Sequence, residues 1–391
     1  MNRKADLVLA ARMAGIEPFR VMDVQNRAQE LEAQGRSVIH MEIGQPDFPA
    51  PPRVAEAAIA AIRSRRLGYT ASLGIPELRR AISGFYRERL GIDVPAERIV
   101  VTAGASGALL LTLGVLLDAG DEVLMPDPCY PCNRNFVRMF GGIARTIAVD
   151  ARQQYQLSLA DVKAHWSPVT RGVLLASPSN PTGSLIPADE MQRIIAWVRD
   201  AGGFVVADEI YQGLVYDTPP STMLGLADDV FVVNSFSKYF NMTGWRLGWV
   251  VAPGPYVREI EKLAQNAFIC PSAPAQYGAL AAFAPETLAL LEERRREFQR
   301  RRDYMVPALR RLGFDIPLMP QGAFYIYAGC ARFSNDSSAF ALRLLDEVGV
   351  AITPGADFGS HRPGQHVRFA YTRSLEDLEE GITRIARLLG N

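Results

Sequence analysis

Residues 230 to 251 have the sequence VFVVNSFSKYFNMTGWRLGWVV, in which two β-branched apolar runs flank a polar loop. The loop contains Lys238, one of four lysines in the chain, and Arg246 eight residues further on. A desolvated lysine can lose its proton and attack a carbonyl group, whereas the guanidinium of an arginine stays protonated and is a poor nucleophile. The stretch therefore indicates two strands and, between them, a reactive amine close to a cation that can bind phosphate.

Similar apolar runs alternate with longer helical patterns, at residues 98 to 102, 122 to 125, 172 to 176, 204 to 207, 230 to 234 and 247 to 251. This alternation predicts an α/β fold with a largely parallel sheet and helices on both faces. In such sheets, ligand-binding residues collect at the carboxyl ends of the strands. Four of the runs are followed there by small or polar residues: Gly104, Ala105 and Ser106; Ser179 and Asn180; Asp208 and Tyr211; Ser235 and Lys238.

A smaller α+β region is predicted after residue 290. Residues 322 to 327 and 367 to 371 have strand patterns, and residues 338 to 348 and 375 to 389 have helical patterns. Residues 292 to 302 are strongly basic, which could suggest a nucleic-acid patch. Glu292 with Arg296 and Glu297 with Arg301 are spaced as i,i+4 pairs, however, and favour a solvated helix.

The overall composition narrows the class of partner. The 391 residues are 48% hydrophobic and carry 42 basic and 42 acidic side chains, with a pI near 6.9. A chain without net charge offers no general attraction to nucleic acid or to an anionic membrane. The longest apolar run, residues 108 to 117, is far shorter than the roughly 20 residues that span a bilayer. Small molecules or a second copy of the chain are the expected partners.

Four cysteines, Cys129, Cys132, Cys270 and Cys330, do not form a disulfide framework in a chain of this length, so a cytoplasmic protein is expected. Cys129 and Cys132 have the spacing of a redox dithiol. A single pair without a nearby histidine is nevertheless weak support for a redox or zinc site. The N-terminal residues imitate a secretion signal until Arg12 interrupts them, and we interpret them as an amphipathic arm.

Two features at the strand ends suit a bound pyridoxal phosphate. Residues 102 to 108 form a strand-to-helix turn whose N–H groups could hold a phosphate dianion, although a tight packing corner fits the pattern equally well. Asp208, if buried beside a pyridine nitrogen, would keep that nitrogen protonated and let the ring withdraw electrons. A helix N-cap is the alternative for Asp208.

Other candidate residues suit the ring and a substrate. Tyr130 could stack on the ring, and Asn180 and Tyr211 could hydrogen-bond its phenolate oxygen, although each is individually often an ordinary core or loop residue. Arg368 lies in an apolar strand pattern, where a buried guanidinium needs an anion. A planar carboxylate suits its fork of donors, and an internal acid such as Asp357 is the alternative partner.

A set of short motifs runs along the chain in order: GQPDF at residues 44 to 48, GYT at 68 to 70, GIPELR at 74 to 79, SNPTG at 179 to 183, ADEIY at 207 to 211, SFSK at 235 to 238 with Arg246, and VRF at 367 to 369. In these motifs the chain resembles, over nearly its whole length, the class I/II pyridoxal-phosphate-dependent aminotransferases of fold type I. It is similar to the bacterial branch related to aspartate aminotransferase. The resemblance implies a large domain with a mostly parallel seven-stranded sheet flanked by helices, and a smaller α+β domain. The expected boundaries are residues 1 to 45 for an N-terminal arm and part of the small domain, 46 to 290 for the large cofactor-binding domain, and 291 to 391 for the small C-terminal domain.

The resemblance also implies roles for the matching residues. Those expected to bind the cofactor are Lys238, as an aldimine, Asp208 at the pyridine nitrogen, Asn180 and Tyr211 at the ring oxygen, Tyr130 on the ring face, and Ala105, Ser106, Ser235 and Arg246 at the phosphate. Lys238, Asp208 and Tyr211 are the expected catalytic residues, and Gly44, Asn180 and Arg368 are expected to bind the substrate. Tyr69 would reach the phosphate of a neighbouring subunit, so a homodimer with shared active sites is expected.

The expected activity is transfer of an amino group from an L-amino acid to a 2-oxo acid with ping-pong kinetics. A C–S β-lyase on the same fold is the alternative, because the same cofactor linkage serves both reactions. A cofactor-sensing regulator would carry a fused DNA-binding domain, for which the family pattern, beginning by about residue 18, leaves no room. No basic residue matches the group that recognises a dicarboxylic side chain, so donor specificity stays open. Phe19, Arg20 and Tyr325 are candidates for lining the substrate pocket.

Overall fold

The computed structural model describes residues 9–64 and 67–390, so residues 1–8 of the predicted arm lie outside the described residues. The α-helices are α1 Arg20–Ala33, α2 Pro52–Arg63, α3 Pro76–Leu90, α4 Gly104–Leu116, α5 Pro131–Met139, α6 Leu159–His165, α7 Ala188–Asp200, α8 Gly254–Ala267, α9 Ala273–Leu280, α10 Pro285–Leu312, α11 Ser337–Val348 and α12 Leu375–Leu389. The strands are β1 Ile39–His40, β2 Ile99–Thr102, β3 Glu122–Asp127, β4 Ile143–Ala148, β5 Thr170–Ala176, β6 Phe204–Asp208, β7 Phe231–Ser235, β8 Gly248–Val251, β9 Tyr325–Gly329, β10 Val350–Ala351, β11 Thr353–Pro354 and β12 His366–Ala370.

Strands β2 to β8 form one seven-stranded sheet in the order β2, β8, β7, β6, β5, β3, β4. β8 is antiparallel to both of its neighbours, and the other neighbouring pairs are parallel. Both faces of the sheet are buried: Val173 and Leu175 of β5 belong to one apolar cluster, and Leu174 between them belongs to another. Continuous apolar runs are typical of strands that are covered on both faces. The predicted fold class is confirmed.

The apolar patterns do not predict β4. Its residues include Arg145 and Thr146, and Ile147 is its one buried side chain. β4 lies at the edge of the sheet and pairs only with β3. An edge strand that faces solvent is often polar, so it lacks the run that identifies its neighbours.

The C-terminal region contains a second sheet, in which β12 lies between β11 and β9 and is antiparallel to both. The helices predicted at residues 338 to 348 and 375 to 389 are present as α11 and α12. β1 pairs in parallel with β10, with Ile39 opposite Val350. The segment before the large sheet is therefore joined to the C-terminal region.

The predicted solvated helix at residues 292 to 302 is part of the longer α10, and its environment differs from the prediction. Arg301 is 3% exposed and donates to Glu297, as the i,i+4 spacing predicts, and also to Asp47. Arg302 is 2% exposed and donates to the carbonyl of Pro320. The expected Glu292–Arg296 pair is wrong, because Glu292 accepts from Arg89, Arg295 and Tyr239. Contacts from distant segments cover this face of the helix, and a local charge pattern cannot reveal them.

The longest apolar run lies mostly in α4, which packs against β7, β8 and α8. It is thus a buried helix of the large sheet, as the sequence predicts. Within the described residues, no helix combines the length and the apolar composition that crossing a bilayer requires.

Candidate active site

A cavity of about 290 Å³ opens where β5, β6 and β7 end, next to β11 and β12. It brings together most of the residues selected from the sequence: Gly44, Ala105, Ser106, Tyr130, Asn180, Asp208, Tyr211, Ser235, Lys238, Arg246 and Arg368, with Phe19 and Tyr325. Two candidates lie elsewhere. Tyr69 is 84% exposed and outside the cavity, and Arg20 lines a smaller adjoining cavity.

The first turn of α4, together with Arg246 and two serines, has the groups that commonly bind an anion. α4 begins at Gly104, whose φ of +73° is in the left-handed region, and a Cβ at that position would lie 2.7 Å from Nη2 of Arg246. The guanidinium therefore packs directly on the first turn of α4. Ser106 in this turn and Ser235 at the end of β7 line the same part of the cavity. Helix N–H groups, hydroxyls and a guanidinium together suit a phosphate dianion.

Lys238 lines the same cavity and interacts electrostatically with Arg246, Arg368 and Asp208. Its Nζ donates to the carbonyl of Gly44 at 2.6 Å. Burial lowers the pKa of Lys238 to about 8, and the positive charges of Arg368 and Arg246 act in the same direction. A neutral amine is thus far more accessible here than on an exposed lysine, as attack on a carbonyl requires.

The lowered pKa predicts how attachment of pyridoxal phosphate to the cofactor-free protein depends on pH. Only the neutral amine reacts, so the rate should rise with pH and level off above about pH 8, instead of rising until the usual lysine pKa of 10.5. Stopped-flow absorbance of the attached cofactor, recorded over a pH series, measures the midpoint. Lys262→Met, at an exposed lysine that pairs with Glu259, should leave the profile unchanged. A midpoint near 10 would contradict the prediction.

Asp208 ends β6 and is 5% exposed. Burial raises the pKa of Asp208 to about 6, and a hydrogen bond from the N–H of Ile210 at 3.2 Å opposes this shift. No α-helix begins at Asp208, so the helix N-cap interpretation is wrong. A buried carboxylate that lines a cavity can accept from a protonated ring nitrogen, and the negative charge would in turn keep that nitrogen protonated.

The hydroxyl group of Tyr325 lies next to both Tyr211 and Gly44. The hydroxyl groups of Tyr211 and Tyr325 are 2.8 Å apart. A Cβ at Gly44 would lie 1.8 Å from the hydroxyl oxygen of Tyr325, so only glycine leaves room for that oxygen. Burial raises the pKa of Tyr211 well above its usual range, and Tyr211 therefore remains a hydrogen-bond donor at neutral pH.

Arg368 occupies the other end of the cavity and is 5% exposed. Its Nη1 donates to Oδ1 of Asn180 at 2.9 Å, and its Nη2 donates to the carbonyl of Glu42 at 2.7 Å. The guanidinium carbon lies 4.1 Å from the ring centroid of Tyr325. The alternative ion pair with Asp357 is wrong, because no carboxylate of the described residues lies within ion-pair distance of Arg368. A buried guanidinium without a carboxylate partner is suited to bind an anion.

The environment of Arg368 includes atoms that the sequence did not single out. The carbonyl of Glu42 is a backbone atom, which no side-chain motif reveals. Thr353 donates to the same carbonyl and accepts from Nη2 of Arg368. Thr353 lies next to Arg368 because the two residues are opposite each other in the β11–β12 pair. The antiparallel register of those strands is the signal that could have identified it.

The surroundings of Cys129 and Cys132 disfavour the thiolate form. Burial raises the pKa of Cys129 to about 11 and also raises that of Cys132, so both thiolates are disfavoured. The backbone N–H of Cys129 donates to the carbonyl of Phe358. The segment therefore has a packing role next to Tyr130.

Comparison with known proteins gives a consistent result. The family model for aminotransferase class I and II matches residues 36–385. The chain is 40% identical over 381 residues to the valine–pyruvate aminotransferase of Mycobacterium tuberculosis, covering 97% of this chain and 98% of that protein. A crystal structure of an aminotransferase from Mycobacterium tuberculosis is similar with a TM-score of 0.94 and 40% identity, over 98% of this chain and 99% of that chain. The aspartate aminotransferase of Thermus thermophilus with maleate is similar with a TM-score of 0.92 and 31% identity, over 98% and 100% of the two chains.

Proposed function

The chain belongs to the class I and II aminotransferases, enzymes that depend on pyridoxal phosphate, and we propose how the residues of its cavity divide the work of transamination. The observation that carries the proposal is the presence of a partly buried lysine, a buried carboxylate and a buried arginine without an ion-pair partner among the described residues, all around one cavity of about 290 Å³. These are the groups required to attach the cofactor, to keep its ring nitrogen charged and to bind an amino acid by its carboxylate.

The cofactor fits the residues that line the cavity. The first turn of α4, with Ala105 and Ser106, would hold the phosphate together with Ser235 and Arg246. Asp208 would accept from the ring nitrogen, Asn180 and Tyr211 would hydrogen-bond the ring oxygen, and Tyr130 would cover the ring face. When bound, pyridoxal phosphate supplies electron withdrawal from the substrate Cα and carries the amino group between the two half-reactions.

Lys238 is the proposed general base and acid. Its Nζ has a lowered pKa, so it can accept a proton from the substrate Cα and release it again near neutral pH. Its hydrogen bond to the carbonyl of Gly44 fixes the position of the amine in the absence of other ligands. Gly44 therefore both leaves room for Tyr325 and orients Lys238.

Arg368 is the proposed ligand of the substrate α-carboxylate. Asn180 and the carbonyl of Glu42 hold the guanidinium plane from two sides, and the ring of Tyr325 lies under it. An arginine fixed in this way can donate two parallel hydrogen bonds to a carboxylate without losing further side-chain freedom. It thereby orients the Cα–H bond of the substrate.

Replacing Arg368 with lysine tests this role, because the charge is kept and the fork of donors is lost. We expect transition-state stabilisation for amino acids to fall by about 2–3 kcal/mol. Amines without a carboxylate should be barely affected. Measurements of kcat/KM for both substrate types, with thermal melts, distinguish the roles. An equal loss for both types with a lowered melting temperature would assign Arg368 a structural role instead.

We propose a homodimer in the cytoplasm as the functional form. Ile59 and Ile62 of α2 are about half exposed, and so is Ile269, whose carbonyl accepts from Ser72 three residues after the 84% exposed Tyr69. Exposed apolar side chains on adjoining segments favour an interface with another copy, from which Tyr69 would reach the neighbouring cavity.

The cysteines support the proposed compartment, because four cysteines without disulfides suit a reducing environment such as the cytoplasm. The division at residues 45 and 290 is likewise proposed, supported by the pairing of β1 with β10.

A single-turnover experiment separates transamination from elimination. Enzyme loaded with pyridoxal phosphate is mixed with an amino acid and no 2-oxo acid, and its cofactor should be converted stoichiometrically to pyridoxamine phosphate. A cysteine-type substrate should release no pyruvate and ammonia. Release of these products without formation of pyridoxamine phosphate would instead identify a β-lyase.

A further inference from the structure

A short 3₁₀ turn, Gly355–Asp357, connects the carboxylate-binding end of the cavity to α1. The ring centroid of Phe358, the next residue, lies 4.9 Å from the guanidinium carbon of Arg368. Asp357 is 5% exposed and lines the cavity. Its two carboxylate oxygens accept from successive backbone N–H groups of α1, Oδ1 from Arg20 at 2.7 Å and Oδ2 from Val21 at 2.9 Å.

Asp357 supplies the cap that α1 lacks in its own sequence. The N-cap residue of α1 is Phe19, whose side chain cannot accept a hydrogen bond. The first N–H groups of a helix have no partner inside it, and burial without one is costly. A carboxylate 337 residues away in sequence therefore fixes where α1 begins.

The start of α1 lines the cavity with three apolar side chains, those of Phe19, Val21 and Met22, and the next turn adds Gln25. We refer to the three apolar side chains as the apolar wall. The ring of Phe19 is stacked on that of Tyr130, with centroids 6.4 Å apart and an interplanar angle of 24°. The proposed cofactor face and the start of α1 are thus in contact, and a side chain extending from a bound Cα would meet this wall.

The charges that a single chain places around the cavity oppose a second carboxylate on the substrate. Among the described residues, the cations that line the cavity are Lys238, Arg246 and Arg368, and each already has a proposed role. Arg20 lines the adjoining cavity instead. Asp357 adds a negative charge on the wall side, which would repel an acidic side chain.

The geometry points to an amino donor with an uncharged, apolar side chain that packs against Phe19, Val21 and Met22, and to Asp357 as the positioning residue that holds this wall. The inference rests on the proposed function, because it takes Arg368 to bind the α-carboxylate of the donor. It assigns a substrate class to the cavity and a specificity role to Asp357, which has no part in the proposed binding of the cofactor or of the α-carboxylate.

A donor panel tests the substrate class with the wild-type enzyme loaded with pyridoxal phosphate. We expect kcat/KM for leucine and phenylalanine to exceed that for aspartate and glutamate by at least about tenfold. If the acidic donors are better, the inference is overturned and transamination stands. If no amino acid forms pyridoxamine phosphate, the proposed function fails and the inference fails with it.

Variants of Asp357 test its positioning role, and Asp336 provides a matched control. Asp336 also accepts from two backbone N–H groups, those of Ser338 and Ala339 at 3.0 Å, but it caps α11 and does not line the cavity. Asp357→Ala should raise KM for leucine about 10- to 50-fold and KM for alanine less than about threefold, because only the larger side chain reaches the wall. Asp336→Ala should also lower the melting temperature, by less because Asp336 is exposed, and leave the leucine-to-alanine ratio unchanged.

Asp357→Asn provides a second variant if the alanine variant folds poorly. The amide keeps the volume of the side chain but places an NH₂ group against one of the two N–H donors, so the KM shift should have the same direction and a smaller size. Equal KM changes for leucine and alanine, or an unchanged ratio in both Asp357 variants, would overturn the positioning role.

Discussion

Lys238→Ala is expected to lower the rate of the first half-reaction by at least about 10⁴-fold, since covalent attachment and proton transfer are both lost. Lys238 is the lysine that lines the cavity, so the described residues offer no second amine to replace it. Burial disfavours its charged form, and the variant should therefore melt at the wild-type temperature or above. Single-turnover formation of pyridoxamine phosphate and thermal melts provide the two measurements.

Lys262→Ala is the control for this experiment, because Lys262 is half exposed on α8 and pairs with Glu259. It should retain wild-type turnover. Borohydride reduction followed by peptide mapping identifies the lysine that carries the cofactor. Labelling of another lysine, or substantial turnover in Lys238→Ala, would refute the assignment.

Asp208→Ala is expected to reduce kcat/KM by about 10³-fold, or about 4 kcal/mol, because a buried charge opposite the proposed position of the ring nitrogen is removed. Asp208→Glu keeps the carboxylate and should cost much less, about tenfold, through misplacement of the charge. The size of both losses should be independent of the donor side chain. Steady-state kinetics with two donors of different size measure this.

Glu209 is the neighbouring control, because it is also a buried carboxylate but does not line the cavity. Its Oε1 accepts from the N–H of Met223, an interaction that Glu209→Gln can keep. That variant should retain kcat, and since burial raises the pKa of Glu209 to about 7, its melting temperature is measured alongside the kinetics. Equal activity of Asp208→Ala and Asp208→Glu would mean that the carboxylate acts only in the local turn.

The sequence predicts the parts of the cavity that are local in the chain. Ser235 and Lys238 directly follow an apolar strand run, and Asp208 ends another, so the parallel-sheet rule alone brings them to one edge. The start of α4 at Gly104 is predicted in the same way from a small-residue turn after a strand. In each case the side chain and the signal that locates it lie within a few residues of each other.

The parts that the sequence does not predict depend on contacts between distant segments. The carbonyl of Glu42 is a backbone atom, so the type of residue at position 42 does not predict its contact with Arg368. The contact of Asp357 with the start of α1 depends on the tertiary structure, so its role in capping that helix cannot be predicted from the local sequence. Arg20, a candidate from the sequence for lining the substrate pocket, does not line the main cavity. In the helix, its backbone N–H is bound by Asp357 and its side chain lines the adjoining cavity.

The hydrogen bond between Arg368 and the carbonyl of Glu42 joins residues separated by 326 positions, and this separation matters during synthesis on the ribosome. At about 5–20 residues per second, the chain emerges over many seconds from the first of these residues to the second. The residues proposed to bind the phosphate, from Gly104 to Arg246, are all synthesised long before Arg368, which is proposed to bind the substrate carboxylate. A ribosome-bound chain that stops before Arg368 therefore contains the lysine and the phosphate-binding turn but cannot bind an amino acid through this guanidinium.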